Sequence, residues 1–267
     1  MVEFCFETVN WSPYFGVEQP DVRAMIRAAA NHGFRWMSLD LPTIDYFVKH
    51  DGSLADLGND LKQHDVSLLA VHSLAIGRDV DAVARLTEAA LNIGSALDAR
   101  YLHAGVTAEA DANVVSATRR AGTMCRERGL GFAVEFLPFL PVASIEQTRS
   151  LLAAAGIGGR NLVVDSWHFF HGPDDWPQLE ALSADEIAYV QFDDHPPLAS
   201  NNLFLETTQS RVMPGQGTFD LVRFANTLQS LGYDGVVGPE ILSAETRNRS
   251  MDSVAQEIMT TTKPYWT

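Results

Sequence analysis

The chain has 267 residues, with 19 Lys and Arg against 34 Asp and Glu, a net charge of −15 and only two cysteines. That balance repels a phosphate backbone and disfavours nucleic-acid binding. Two cysteines without a CxxC give no disulfide or zinc framework. No run reaches the roughly 18 apolar residues of a membrane span, and the N-terminus lacks a signal-peptide pattern, so a cytoplasmic protein with no membrane partner is expected.

Apolar runs of strand length alternate with segments of helical period along the whole chain. Strands are expected at Val2–Phe6, Phe34–Leu39, Ser67–Ser73, Tyr101–His103, Gly131–Glu135, Leu162–Asp165, Ile187–Phe192 and Gly235–Ile241. Helices are expected between them, at Asp21–Asn31, Leu54–Gln63, Asp79–Leu97, Asp111–Arg128, Ser144–Ala155 and Phe219–Leu231. Asp21, Ser53, Asp79, Asp111 and Ser144 are placed to accept a hydrogen bond from a free first-turn N–H. Gly33, Gly129 and Gly232 stand where left-handed C-terminal caps belong. Eight βα units in about 250 residues fit one closed (β/α)8 barrel, an α/β TIM barrel, spanning residues 1–267 as a single domain. Two connections exceed what a simple barrel needs, Thr8–Pro20 and Asp194–Gly217, and active sites of this fold lie on that face.

Four polar residues close strands of the second half: Glu135, Asp165, Gln191 and Glu240. A buried carboxylate requires a partner, and four such endings point to one shared divalent cation. Strand alternation puts Gly131, Ala133, Glu135, Val163, Asp165 and Gln191 in the lumen, with Phe132, Val134, Leu162, Val164, Val190 and Phe192 outward. The same parity brings Asp193 inward, as a rival ligand to Gln191. His168 follows Asp165 by three residues, and His72 and His103 close the third and fourth strands at the same rim. Tyr14, Phe15, Phe47, Phe136, Phe139, Trp167, Phe169 and Phe170 flank that rim; about half of such aromatics belong in packing, and the rest would form an apolar wall.

These residues resemble the xylose-isomerase-like barrels: Glu135, Asp165-Ser-Trp-His168, Arg211-Val-Met-Pro-Gly-Gln-Gly217, and Gly232-Tyr-Asp-Gly235 leading to Glu240. That superfamily includes sugar isomerases and epimerases, 3-dehydroshikimate dehydratases and apurinic endonucleases. The resemblance implies a single divalent metal on Glu135, Asp165 and Glu240. A fourth ligand from the seventh strand is usually His, and here Gln191 stands in that slot. An all-oxygen set favours Mn²⁺ or Mg²⁺, with Co²⁺ or Zn²⁺ as alternatives.

Such a site would chelate a polyhydroxy carbonyl compound, acidify the carbon between its oxygens and stabilise the enediolate. Glu135, Glu240 and His168 are the expected catalytic residues. His72, His103, Arg211, Trp167 and Phe136 would contact the substrate. Isomerisation or epimerisation is the first expectation, and dehydration, towards which Gln191 leans, the alternative. His72, His103, Glu135, Asp165, His168 and Glu240 also match part of the endonuclease pattern. That pattern's seventh-strand His and its Asp-x-His before Glu240 are missing. A non-catalytic binding barrel is a further alternative. No partner motif is visible, and assembly into a homo-oligomer stays open.

Overall fold

A computed structural model describes residues 2–267. Its eight parallel strands close on themselves in sequence order. They are β1 (Glu3–Glu7), β2 (Trp36–Asp40), β3 (Ser67–Ile76), β4 (Tyr101–Val106), β5 (Gly131–Glu135), β6 (Leu162–Asp165), β7 (Ile187–Gln191) and β8 (Val236–Gly238). Each strand is linked to the next through helix, so the fold is one (β/α)8 barrel, as expected.

The local chemistry of the helix ends is as the sequence predicts. Asp21, Ser53, Asp79, Asp111 and Ser144 each accept a first-turn backbone N–H. Each such cap contributes about 1 kcal/mol. Gly33, Gly129 and Gly232 adopt left-handed φ angles of 80°, 75° and 83°.

Strand alternation sorts the core into lumen and shell. Cys5, Leu69, Tyr101, Ala133, Val163, Tyr189 and Val236 pack together within the barrel. Phe132 and Val134 pack in one outer cluster, and Leu162, Val164, Val190 and Phe192 in the other. At about 1.5–3 kcal/mol per fully buried large apolar side chain, this outer packing holds the strands in register. The strand ends can then carry polar groups that oppose folding.

Several segments depart from the expected pattern: β3 runs on to Ile76, β8 stops at Gly238, and helices form at Trp176–Glu180 and Met251–Thr262 where none is expected. Leu41–His50 is a helix directly after β2 with Pro42 in its first turn, burying Thr43, Ile44 and Phe47. The connection Asp194–Gly217 is not structureless: Leu203–Gln209 forms a helix whose N-cap, Asn202, accepts from the Leu205 N–H. The Pro-Gly-Gln-Gly turn that follows is tied to Asp194, whose carboxylate accepts from the N–H groups of Gly215 and Phe219, each at 3.0 Å. Among the described residues, no helix is long and apolar enough to cross a membrane.

Candidate active site

Strand parity delivers a ring of polar side chains to the C-terminal mouth of the barrel. Glu7, His72, His103, Glu135, Asp165, Gln191, Asp193 and Glu240 are all buried there. His72 owes its placement to an irregularity in β3. The register with β4 shifts between Val71 and Leu74, and Ser73 takes a φ of 81°. Bulges of this kind re-aim side chains beside sites.

Arg211 forms the electrostatic centre. It is 1% exposed, and its Nη1 donates to Asp165 Oδ2 at 2.8 Å and to Asp193 Oδ2, with Glu240 Oε2 at 3.3 Å. Nε and Nη2 both donate to Thr207 Oγ1, at 3.1 and 2.8 Å. Burial alone would lower the guanidinium pKa, but Asp165, Asp193 and Glu240 together raise it. Every donor-bearing nitrogen of this cation is thus engaged inside the protein.

A second network crosses the barrel floor. Tyr189 Oη lies 2.6 Å from His103 Nδ1, and His103 Nε2 lies 3.1 Å from Glu135 Oε2. Burial, followed by Glu7, Glu135 and Glu240, raises the Tyr189 pKa well above the usual phenol range. The phenol therefore stays protonated; because the Glu135 carboxylate can only accept, His103 donates to it from Nε2, and the neutral ring accepts the phenol O–H at Nδ1. Glu135 Oε1 has no hydrogen-bond partner, with His168 Nε2 at 3.3 Å. Burial pulls the Glu135 pKa up, but His103 and His168 outweigh it and hold the carboxyl well below its usual range. Burial and the neighbouring His103 push His72 down, so His72 is neutral at pH 7.

Above this floor opens a cavity of about 420 Å³. His72, His103, Glu135, His168, Arg211 and Glu240 form its polar side, and Phe15, Leu74, Leu137, Phe139, Phe204 and Leu242 its apolar wall. Trp167 and Phe136 do not line it, which corrects the expectation that both touch substrate. Phe136 follows the inward Glu135, so parity turns it outward into the shell. Trp167 is fully buried, with its ring 4.5 Å from that of His171 and 5.7 Å from the Arg211 guanidinium. His168 sits in the first turn of the helix Ser166–His171 rather than on a loop, with its N–H donated to Asp165 Oδ1 at 3.0 Å.

The quartet expected to hold a metal is brought to one rim but divided. Among carboxylate and imidazole donors, Glu135, Asp165 and His168 lie within 4.8 Å of one another, and Glu240 groups likewise with Glu7 and His72. Asp193 serves as counter-ion to Arg211. Gln191 Nε2 donates to Glu240 Oε1 at 2.7 Å, while Gln191 Oε1 is buried and unpartnered. Two orphaned oxygens, Glu135 Oε1 and Gln191 Oε1, beside the carboxylates of Asp165 and Glu240 are the donor set a hard divalent cation takes. Glu7 and Tyr189 were missed from sequence. Both carried a signal: Glu7 closes its strand on a carboxylate as Glu135 does, and Tyr189 shares the lumen parity of Gln191.

A closed parallel barrel with a buried carboxylate and imidazole site at its C-terminal mouth belongs to the TIM-barrel class. A family profile of xylose isomerase-like TIM barrels matches residues 26–260, and the chain belongs to that family. It is 23% identical over 246 residues to the inosose isomerase of Bacillus velezensis, covering 86% of each chain. It is 31% identical over 134 residues to the 3-dehydroshikimate dehydratase of Pseudomonas aeruginosa, covering 48% of this chain but 21% of that one. A crystal structure of IolI protein with a bound zinc atom superposes with a TM-score of 0.84 at 20% identity, covering 99% and 98% of the two chains. That last likeness speaks for the fold; the relatives in sequence are enzymes of isomerase and dehydratase type.

Proposed function

We propose that the chain is an isomerase or epimerase that abstracts a proton next to the carbonyl of an uncharged, ring-bearing polyhydroxy ketone. The observation that carries the reading is the state of Arg211. It is the one Lys or Arg on the cavity wall, and each of its three nitrogens is already bonded within the protein, by Asp165, Asp193 or Thr207. A phosphate or carboxylate on the substrate would find no unpaired Lys or Arg on this wall and would face the carboxylates of Glu135 and Glu240. Hydroxyl and carbonyl oxygens suit the imidazole side, and the apolar wall suits the face of a ring.

Glu135, Asp165, Gln191 and Glu240 would hold one divalent cation, Mn²⁺ or Mg²⁺ by their all-oxygen chemistry. When bound, that ion supplies a Lewis acid for the substrate's oxygens. The chain's own residues do the rest. Glu135, ionised at the cavity floor, combines ligation with proton abstraction, and His103, hydrogen-bonded to Tyr189, fixes its Oε2. Glu240, two residues past the end of β8, is placed to return a proton, which gives epimerisation or isomerisation according to the face or carbon that receives it. His168 and His72 hold substrate hydroxyls through ring nitrogens that reach the cavity. Positioned acid and base groups contribute about 10²–10⁴-fold each.

Dehydration is the second reading, favoured by Gln191 in the seventh-strand slot and by the alignment to a dehydratase. 3-Dehydroshikimate carries a carboxylate, so Arg211 separates the two. Turnover should be measured on neutral cyclic hydroxyketones and on 3-dehydroshikimate, side by side with Mn²⁺ present. A kcat/KM at least 100-fold higher for a neutral ketone supports the first reading. Preference for the carboxylated substrate overturns it.

A further inference from the structure

We propose that Glu7, His72 and Glu240 form a second divalent-cation site, beside the one assigned to Glu135, Asp165, Gln191 and Glu240. The inference rests on that assignment in sharing Glu240 between the two.

Glu7 closes β1 in the lumen, and its side chain is completely buried. Neither carboxylate oxygen has a well-formed hydrogen bond: the Ser38 hydroxyl and Cys5 thiol stand beside Glu7 but pair with each other at 3.3 Å, and His72 Nε2, at 3.6 Å from Oε2, is beyond hydrogen-bond reach. Leaving an ionised carboxylate so placed costs several kcal/mol. The barrel nevertheless makes room for it: a Cβ on residue 238 would stand 2.3 Å from Glu7 Oε1, and that residue is glycine. Donor atoms of Glu7, His72 and Glu240 lie within 4.8 Å of one another. That spacing is what a cation with bonds of about 2.1 Å can close with small side-chain rotations.

Charge argues the same way. The carboxylates buried at this mouth, Glu7, Glu135, Asp165, Asp193 and Glu240 among them, outnumber its one buried Lys or Arg, Arg211. One divalent cation beside that guanidinium leaves negative charge in excess, and a second offsets more of it. With one imidazole and two carboxylates, the second site suits Mn²⁺ or Zn²⁺ better than Mg²⁺.

The test is Mn²⁺ binding to the full-length chain after chelator treatment and dialysis, with stoichiometry by elemental analysis and coupling by EPR. Wild type should bind two Mn²⁺ per chain, with the spectrum broadened by exchange through the shared Glu240. Glu7→Gln, which keeps size and shape, should bind one and give a resolved six-line signal. Glu135→Gln should keep the ion at Glu7. Two ions retained in Glu7→Gln, or a single wild-type ion that Glu7→Gln keeps, overturns the second site, its charge then being carried by protons. A single wild-type ion that Glu135→Gln keeps and Glu7→Gln loses would instead sink the first assignment and leave the new site standing. Circular dichroism and thermal melts check that each variant is folded.

Discussion

Arg211→Met gives a sharp test of the electrostatic frame. The guanidinium bonds Asp165 at 2.8 Å, bonds Asp193, and reaches Glu240 at 3.3 Å; its side chain is 1% exposed and those of the three acids are at most 8%. Methionine keeps the stem's volume but leaves three carboxylates facing one another in a dry site. Breaking a buried pair from one side costs about 3–5 kcal/mol. At about 2–4 °C per kcal/mol for a chain of this size, the melting temperature should fall by about 6–20 °C. The assay is urea denaturation in chelator, so that no cation replaces the lost charge. The penalty should also depend on pH with a definite sign. Burial already raises the folded-state pKa of Asp193 and of Glu240 against the pull of Arg211, and removing the guanidinium lets both rise further. The folded variant then takes up protons first, so the penalty is full at neutral pH and shrinks as pH falls through those raised values. Arg211→Met with Asp193→Asn should recover at least about 1 kcal/mol of coupling. A single variant within about 1 kcal/mol of wild type at pH 7 would refute the reasoning.

Two further outcomes follow from the floor of the site. Burial raises the Glu7 pKa from 4.5 to about 7. A raised carboxyl contributes stability that is present below about 4.5 and lost as pH rises through about 7, worth about 3 kcal/mol over the range. Metal-free wild type should therefore lose stability between pH 5 and pH 8 relative to Glu7→Gln, measured by urea titration at both pH values; parallel curves would contradict it. Tyr189→Phe removes the 2.6 Å partner of His103 Nδ1. Nitrogen-15 NMR of the imidazoles should show His103 protonated on Nε2 in wild type and a mixture of tautomers in the variant. The lost buried hydrogen bond should cost about 1–3 kcal/mol. Protonation on Nδ1 in wild type would reverse the donor assignment.

Much of this arrangement was legible in the chain because strand parity is a local rule. Glu135, Asp165, Gln191 and Asp193 all face the lumen as the alternation of β5, β6 and β7 requires, and Phe132, Val134, Leu162 and Val164 face the shell. Phe136 was assigned to the pocket against that same rule, and the structure returns it to the shell. Glu7 escaped because β1 was ended one residue early, at Phe6. What parity cannot give is contact between distant segments. Arg211 reaches Asp165, 46 positions away, only because the connection after β7 folds into the helix Leu203–Gln209 and delivers Thr207 and Phe204 to the cavity. No periodicity in that connection announced the helix, whose seven residues are too few to show a clear period. Arg211 lines the cavity, where the sequence expects a substrate contact, and its guanidinium also bonds the protein's own acids, which parity does not foretell.

The most direct measurement is solvent exchange. The Mn²⁺-loaded protein should be incubated in D₂O with a neutral cyclic polyhydroxy ketone and followed by proton NMR at the carbon next to the carbonyl. Deuterium should enter that position in wild type, and the rate should fall at least 100-fold in Glu135→Gln. No exchange across a panel of such ketones, or exchange that Glu135→Gln leaves untouched, would contradict the assignment of this barrel mouth to proton abstraction.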